Sequence, residues 1–352
     1  MGLFFVAGAC IRKTVRSRLQ SRRSIRATLA AIFSFATLST GGQLRGQAAS
    51  SAPPEPQFLD VVDETGRSVH IPKPVLRIVS LAPSLTETIY ALGLEDHLVG
   101  DTDYCDFPPQ AQKKHKVGGA LNPSLEEIVS LHPDLVVVTK RLNRLDTVLA
   151  LESLHIPAYA TDPETVEQII SSTVRLAGIL GAPEAGEAVA ADLRRRLSQL
   201  RQRLTNVPAT RVLFVVWDEP LISIGKATFI ADALRYAGAS SVVDSAETWP
   251  QINLEEVVRQ QPEFLVFARS QVPAGSVDFA TLANRPGWRG LEAVRKRRFV
   301  VISEAVNRPA PRIVSAIEDL ARQLHPEAFE DQPVKPVLAR NRVARAECSC
   351  AL

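Results

Sequence analysis

Two rhythms of apolar and polar positions alternate along the chain. Near-continuous apolar runs at residues 76–81 (LRIVSL), 135–139 (LVVVT), 211–216 (RVLFVV), 264–267 (FLVF) and 298–302 (RFVVI) have the character of strands buried on both faces of a parallel sheet. Between them, amphipathic stretches predict helices at 85–92, 163–180, 228–236 and 311–324, the first and third stopped by Gly93 and Gly238. Residues 58–71 alternate around Gly66 and predict a small hairpin. The longest helical stripe, at 183–204, carries Ala185, Ala188, Val189, Leu193, Leu197, Leu200 and Leu204 behind a starting proline. At ~1.5 Å per residue it spans roughly 30 Å, enough to pass from one domain to another. The pattern predicts an α/β fold: two similar lobes with mainly parallel sheets, joined by a single long helix.

The two lobes carry one repeated unit. Asn122-Pro123-Ser124-Leu125-Glu126-Glu127-Ile128-Val129, followed by Leu131-His132-Pro133-Asp134-Leu135, returns as Ile252-Asn253-Leu254-Glu255-Glu256-Val257-Val258, followed by Gln261-Pro262-Glu263-Phe264. Glu126 and Glu255 are 129 positions apart, as are Pro133 and Pro262, so a short helix, a proline break and an apolar strand recur without slippage. Ser124 and Asn253 are good N-caps, and the acids three positions on, Glu127 and Glu256, predict a capping box. Glu126 and Glu255 are then free to project from the first helical turn, where their plain role is to favour the helix dipole.

Composition adds bounds. The chain has 352 residues and a formal charge of +3, but Arg12, Lys13, Arg16, Arg18, Arg22, Arg23 and Arg26 crowd its start and the rest is mildly acidic. No basic patch interleaved with aromatics argues for nucleic acid. After these cations, residues 27–39 form an apolar stretch too short for a bilayer span, followed by small residues, which predicts an export signal. Ser21-Arg22-Arg23-Ser24 resembles a twin-arginine signal, and the ordinary secretory route stays open. The expected division is an export signal over 1–51, a linker over 52–57, an N-terminal lobe over 58–182, the joining helix over 183–205, a C-terminal lobe over 206–328 and a flexible tail over 329–352. Cys10, Cys105, Cys348 and Cys350 are too scattered for a disulfide framework, and neither they nor the six histidines have metal-ligand spacing.

No catalytic motif is present: there is no GxSxG, HExxH, Walker loop or GxGxxG at a strand end. Ser84 reads as an N-cap with Glu87 closing its capping box, and Cys105 beside Asp106 has no histidine motif to activate it. The distinctive groups are planar ones on loops: Tyr104 and Phe107 in the first lobe, Trp217, Trp249 and Arg308 in the second. Trp217 and Trp249 fit a core as well as a cleft, and Trp288 fits the packing of a helix start. Loops at the carboxyl ends of parallel strands are where α/β proteins hold ligands, so facing rings there would line an apolar cleft with a few polar anchors.

Arg77-Ile78-Val79-Ser80-Leu81-Ala82-Pro83-Ser84-Leu85-Thr86-Glu87, Tyr104-Cys105-Asp106-Phe107-Pro108-Pro109, the two Leu-Glu-Glu repeats, Trp249-Pro250-Gln251 and Arg308-Pro309-Ala310-Pro311-Arg312-Ile313 together resemble the periplasmic substrate-binding proteins of ABC importers for cobalamin, ferric siderophores and haem, the cobalamin-binding branch above all. The resemblance covers roughly residues 58–326. It implies a monomer that captures a cobalamin-like corrinoid or another metal chelate between lobes, with modest closure, and delivers it to a permease dimer. By position it places Tyr104, Trp249 and Arg308 at the ligand, with Glu304 where an acid is expected, and Glu126 and Glu255 against the permease; Phe107 and Trp217 join the ligand candidates as planar groups on the same set of loops. It implies no enzymatic activity, no cofactor and no protein-bound metal. This chain departs from the pattern at Ala120, Thr139 and Ala305, where aromatics are expected. The alternatives are a haem or ferric-siderophore carrier, in which Tyr104 would reach iron, and an enzyme on the same scaffold with Cys105 or Ser84 as nucleophile.

Overall fold

The computed structural model describes residues 57–269 and 279–330. The predicted export signal, most of the linker, Cys10, Cys348, Cys350 and residues 331–352 lie outside them. The chain opens with a hairpin that pairs β1 (Gln57–Val62) antiparallel with β2 (Ser68–Lys73). Its turn is organised by the Asp63 carboxylate, which accepts from the N–H groups of Thr65 and Arg67, with Gly66 at φ +88°.

The first lobe contains β3 (Ile78–Ser80), α1 (Pro83–Ala91), β4 (Leu98–Asp101), β5 (His115–Lys116), α2 (Leu125–Ser130), β6 (Leu135–Thr139), α3 (Leu145–Ser153) and β7 (Ala158–Thr161). Its five strands form a parallel sheet in the order β5-β4-β3-β6-β7. Two helices, α4 (Val166–Ile179) and α5 (Pro183–Arg203), lead to the second lobe. There follow β8 (Thr210–Val215), a ribbon of β9 (Trp217–Asp218) and β10 (Leu221–Ile222), α6 (Phe229–Tyr236), β11 (Ala239–Ser241), α7 (Leu254–Gln260), β12 (Phe264–Ala268), α8 (Phe279–Asn284), α9 (Glu292–Arg295), β13 (Phe299–Ile302) and α10 (Ile313–Leu324). The second sheet is also parallel, in the order β11-β8-β12-β13.

The repeat extends into backbone geometry. His132 and Gln261, each just before the proline break, take left-handed conformations at φ 44° and 46°. One residue past each proline, an acid anchors the neighbouring strand: the Asp134 carboxylate accepts from the N–H groups of Leu76 and Arg77, and the Glu263 carboxylate from that of Arg211. Side chains of the central strands alternate between two cores, as the pleat requires. Leu135 and Val137 face one side of the first sheet, Val136 and Val138 the other; Leu265 and Phe267 oppose Val266 and Ala268 in the second.

The helices between lobes are not a neutral spacer. Leu193, Leu197 and Leu200 of α5 join the core of the second lobe. Helix α4 belongs to both lobes: Val166, Ile169 and Ile170 pack into the second, Leu176 and Ile179 into the first.

Two local features position the loops used below. Gly225 N–H donates to the Thr248 carbonyl and Ser223 N–H to that of Pro250, so the segment carrying Trp249 is stitched to residues 223–225. A Cβ on Gly225 would lie 1.7 Å from the Glu247 carbonyl oxygen. In the first lobe, Asp101 is fully buried under the loop that carries Tyr104, Asp106 and Phe107. Lys116 Nζ donates to its Oδ1 at 2.7 Å, while Oδ2 has no hydrogen-bond partner. Burial, opposed by Lys116, pushes the Asp101 carboxyl up to about 6.

Gly225→Ala is expected to destabilise the protein by about 1–3 kcal/mol, because overpacking against backbone cannot be relieved by a rotamer change. It should also shift Trp249 emission; an unchanged denaturation midpoint with unchanged emission would show that the two segments are not in close contact. Asp101 binds its proton more tightly in the folded than in the unfolded protein. Its contribution is therefore full below the ordinary value of 3.8 and is lost as pH rises through about 6. In urea denaturation between pH 4 and pH 7, the stability of Asp101→Asn relative to the parent should accordingly rise by on the order of 1–3 kcal/mol. A pH-independent difference would mean that Asp101 titrates normally.

Candidate functional site

The carboxyl ends of strands from both sheets face a cleft of about 530 Å³. The first lobe contributes Pro83 and Ser84 from the start of α1, and Thr139, Arg141 and Leu142 from the end of β6. The second contributes Thr228 and Phe229 at the start of α6, Thr248 and Trp249, and Glu304, Asn307, Arg308 and Pro309 beyond β13. The size is that of a small-molecule site, ~300–1,000 Å³.

Both arginines on its wall are already engaged by acids. Arg141 pairs with Asp162 at 3.3 Å and Glu164 at 2.6 Å. Arg308 donates through Nη1 to Glu87 Oε1 and to Asp106 Oδ1, each at 2.7 Å. Glu87, on α1, also receives Nε and Nη2 of Arg312 at 2.8 and 2.7 Å, and Arg312 stacks on the Phe107 ring at 3.8 Å, within cation–π range. This cluster crosses the lobe boundary, since Glu87, Asp106 and Phe107 belong to the first lobe and both arginines to the second. Burial pushes the Asp106 carboxyl up, but the Arg308 guanidinium outweighs it and the group ends lower than usual. Burial likewise opposes the charge on Arg308, and its two acids more than restore it. Behind the cluster lies a larger cavity of about 1090 Å³, walled by Tyr90, Phe107, Val189, Leu193, Lys113 and Arg312 among others.

Of the residues the sequence assigned to a ligand, the structure brings Trp249, Glu304 and Arg308 together on the cleft wall. Trp249 is half-exposed there, and Glu304 accepts from Asn307 Nδ2 at 3.0 Å. Phe107 lines the rear cavity instead. Tyr104, 65% exposed on a surface loop, and Trp217, 59% exposed on β9, lie outside the cleft lining, with Trp217 Nε1 donating to the Glu219 carbonyl at 2.7 Å.

The capping expectations need correction. Helix α1 starts at Pro83, so Ala82 is its N-cap and makes no side-chain bond, while Ser84 is buried in the first turn. Glu87 cannot close a capping box because its carboxylate is drawn across to the two arginines. Ser124 does cap α2, accepting from Glu127 N–H, but Ser124 N–H is taken by the Val117 carbonyl. The Glu127 carboxylate therefore bonds His115 Nε2 at 2.7 Å. In the second lobe Asn253 accepts from the N–H of Glu255 rather than Glu256, and the Glu256 carboxylate turns along α7 to Arg259 and Gln260, the neighbours that helical spacing supplies. Both docking candidates are exposed. Glu126 is not wholly free: its own backbone N–H and the Ser124 hydroxyl hold its carboxyl below the usual range. Glu255 has no side-chain partner among the described residues.

Sequence reasoning missed the role of Glu87 and Arg312. The signal was present: an acid on the otherwise apolar or hydroxylic face Leu85, Thr86, Thr88, Ile89 must be paired if that face is buried, and Arg308 and Arg312 are the matching cations. Cys105 is buried, its thiol between the hydroxyls of Thr86 and Thr102, and burial raises it above the ordinary thiol range. Among the described residues no cluster of three or more His, Cys, Asp or Glu could hold a metal ion, and no helix is long and apolar enough to cross a membrane.

Comparison with known proteins agrees with this architecture. The vitamin B12-binding protein of Photorhabdus laumondii is 30% identical over 251 residues, 71% of this chain and 88% of that protein. The solved periplasmic vitamin B12 binding protein BtuF of Vibrio cholerae superposes with a TM-score of 0.63 at 28% identity, covering 72% of this chain and 98% of its own. A periplasmic heme binding protein from Pseudomonas aeruginosa superposes at 0.64 with 26% identity, covering 72% and 93%. The family model described as periplasmic binding protein matches residues 78–306, and with two parallel-sheet lobes facing one cleft the chain belongs to that family.

Proposed function

We propose that this protein captures a cobalamin-like corrinoid in the cleft between its lobes and delivers it, in the periplasm, to an ABC importer. Charge carries the choice of ligand. Both guanidinium groups on the wall are balanced by carboxylates, so a ligand rimmed with carboxylates would find no uncompensated cation among the described residues lining the cleft. A corrinoid rimmed with neutral amides needs only hydrogen-bond partners, for which Ser84, Thr139, Thr248 and Asn307 stand on the wall, while Trp249 offers a flat apolar surface. The two vitamin B12-binding relatives support the same choice. The haem alternative is less well served: haem carries two propionates, and Tyr104, the candidate iron ligand, lies outside the cleft lining.

On this reading the protein acts as a carrier: of the two candidate nucleophiles, Cys105 is buried outside the cleft lining, and Ser84 lines the cleft with no histidine among the described residues around it. It works as a monomer against a permease dimer, each lobe offering one exposed acid, Glu126 or Glu255, from the equivalent turn of the repeat. Such rim charges chiefly set encounter rate and orientation.

Purified protein titrated with cyanocobalamin and with hemin is expected to bind the corrinoid in preference; hemin binding with no corrinoid response would reverse the assignment. Glu126→Ala combined with Glu255→Ala should leave ligand affinity unchanged and slow uptake in vesicles reconstituted with the cognate permease. Normal uptake by the double variant would remove these acids from the docking surface.

A further inference from the structure

We propose that Glu87 is a positioning residue that sets the charge preference of the cleft, turning Arg308 from a counter-ion for carboxylates into a donor for neutral carbonyl oxygens. This deepens the corrinoid reading and rests on it for the identity of the ligand, although the charge effect itself belongs to the empty protein.

Three observations lead to it. First, Glu87 is the hub: its side chain is 2% exposed and receives both arginines of the second lobe, while Arg308 and Arg312 are 14% and 22% exposed. Second, with Asp106 included, two guanidinium groups face two carboxylates, so the cluster is neutral as a unit. Third, both acids attach to the same atom of Arg308, Nη1. The Nε–H and the other terminal amino group of Arg308 make no side-chain hydrogen bond among the described residues, and Arg308 is on the cleft wall. Its remaining donors can meet a carbonyl oxygen without bringing a net charge. Buried charges interact strongly because little solvent screens them, so removing one acid should be felt across the cleft. Glu87 sits one helical turn beyond Ser84, which itself lines the cleft, and so acts on the ligand only through Arg308.

The test has one arm without ligand and one with it. Trp249 shares the cleft wall with Arg308, Trp288 is buried, and Trp217 can be removed by a Trp217→Phe background. In that background the ratio of iodide to acrylamide quenching of Trp249 at low ionic strength should rise about twofold in Glu87→Gln, because the cluster gains one positive charge that attracts the anionic quencher. Asp106 is largely exposed, so Asp106→Asn removes the second acid without opening a buried site and should shift the ratio the same way if Glu87→Gln folds poorly. In the ligand arm, cobinamide, rimmed by amides, is compared with cobyrinic acid, rimmed by carboxylates. The parent should prefer cobinamide, and Glu87→Gln should move the affinity ratio toward cobyrinic acid by about tenfold. An unchanged quenching ratio in both folded variants, or equal loss of both corrinoids in Glu87→Gln, would overturn the proposal and leave Glu87 a purely structural tie. If the parent binds neither corrinoid, the proposed ligand falls, and the quenching arm still decides the role of Glu87.

Discussion

One buried carboxylate holds the relation between the lobes. Glu87 leaves solvent almost completely and is compensated only by groups that reach it from the other lobe. Such an arrangement adds little net stability, because desolvating the charges offsets most of their attraction, yet leaving one partner alone costs roughly 3–5 kcal/mol. Its effect is therefore on geometry more than on stability. At the separation the lobes adopt, Arg308 and Arg312 both reach the same carboxylate, with the cleft on one side of the cluster and the larger cavity on the other.

Much of the architecture was legible in the sequence because it rests on local patterns. Apolar runs such as residues 135–139 and 264–267 have the length and composition of buried strands, and Gly93 and Gly238 ended helices where glycine tolerates positive φ, at 70° and 73°. The 129-residue offset proved deeper than a motif, since it carries over to the left-handed residues His132 and Gln261 and to the anchoring acids Asp134 and Glu263. Where expectation failed, a competing partner or a shifted helix start had intervened, in one case from far away in sequence. Glu87 and Arg308 are 221 positions apart, and no capping rule can anticipate such a pair. Glu127 failed for a similar reason, its target N–H having been taken by Val117.

The cleft itself was half legible. Trp249, Glu304 and Arg308 are adjacent to predicted strand ends and do meet. Phe107 was assigned by its chemistry, and the same chemistry explains its actual position: its ring covers the Arg312 guanidinium instead of a ligand. Tyr104 and Trp217 remain on the surface of the described protein. Of the hydroxyls in the lining, Ser84 and Thr139 stood in stretches the sequence singled out for other reasons, whereas Thr228 and Thr248 had no sequence signal because isolated threonines are ordinary in any loop.

Helix α4 gives up half of its apolar face to each lobe, with Ile169 and Ile170 in one core and Leu176 and Ile179 in the other. A wide swing of the lobes would have to pull one of these sets out of close packing, and burying a single such side chain is worth about 1.5–3 kcal/mol. The molecule is thus built as a stiff clamp with a standing aperture.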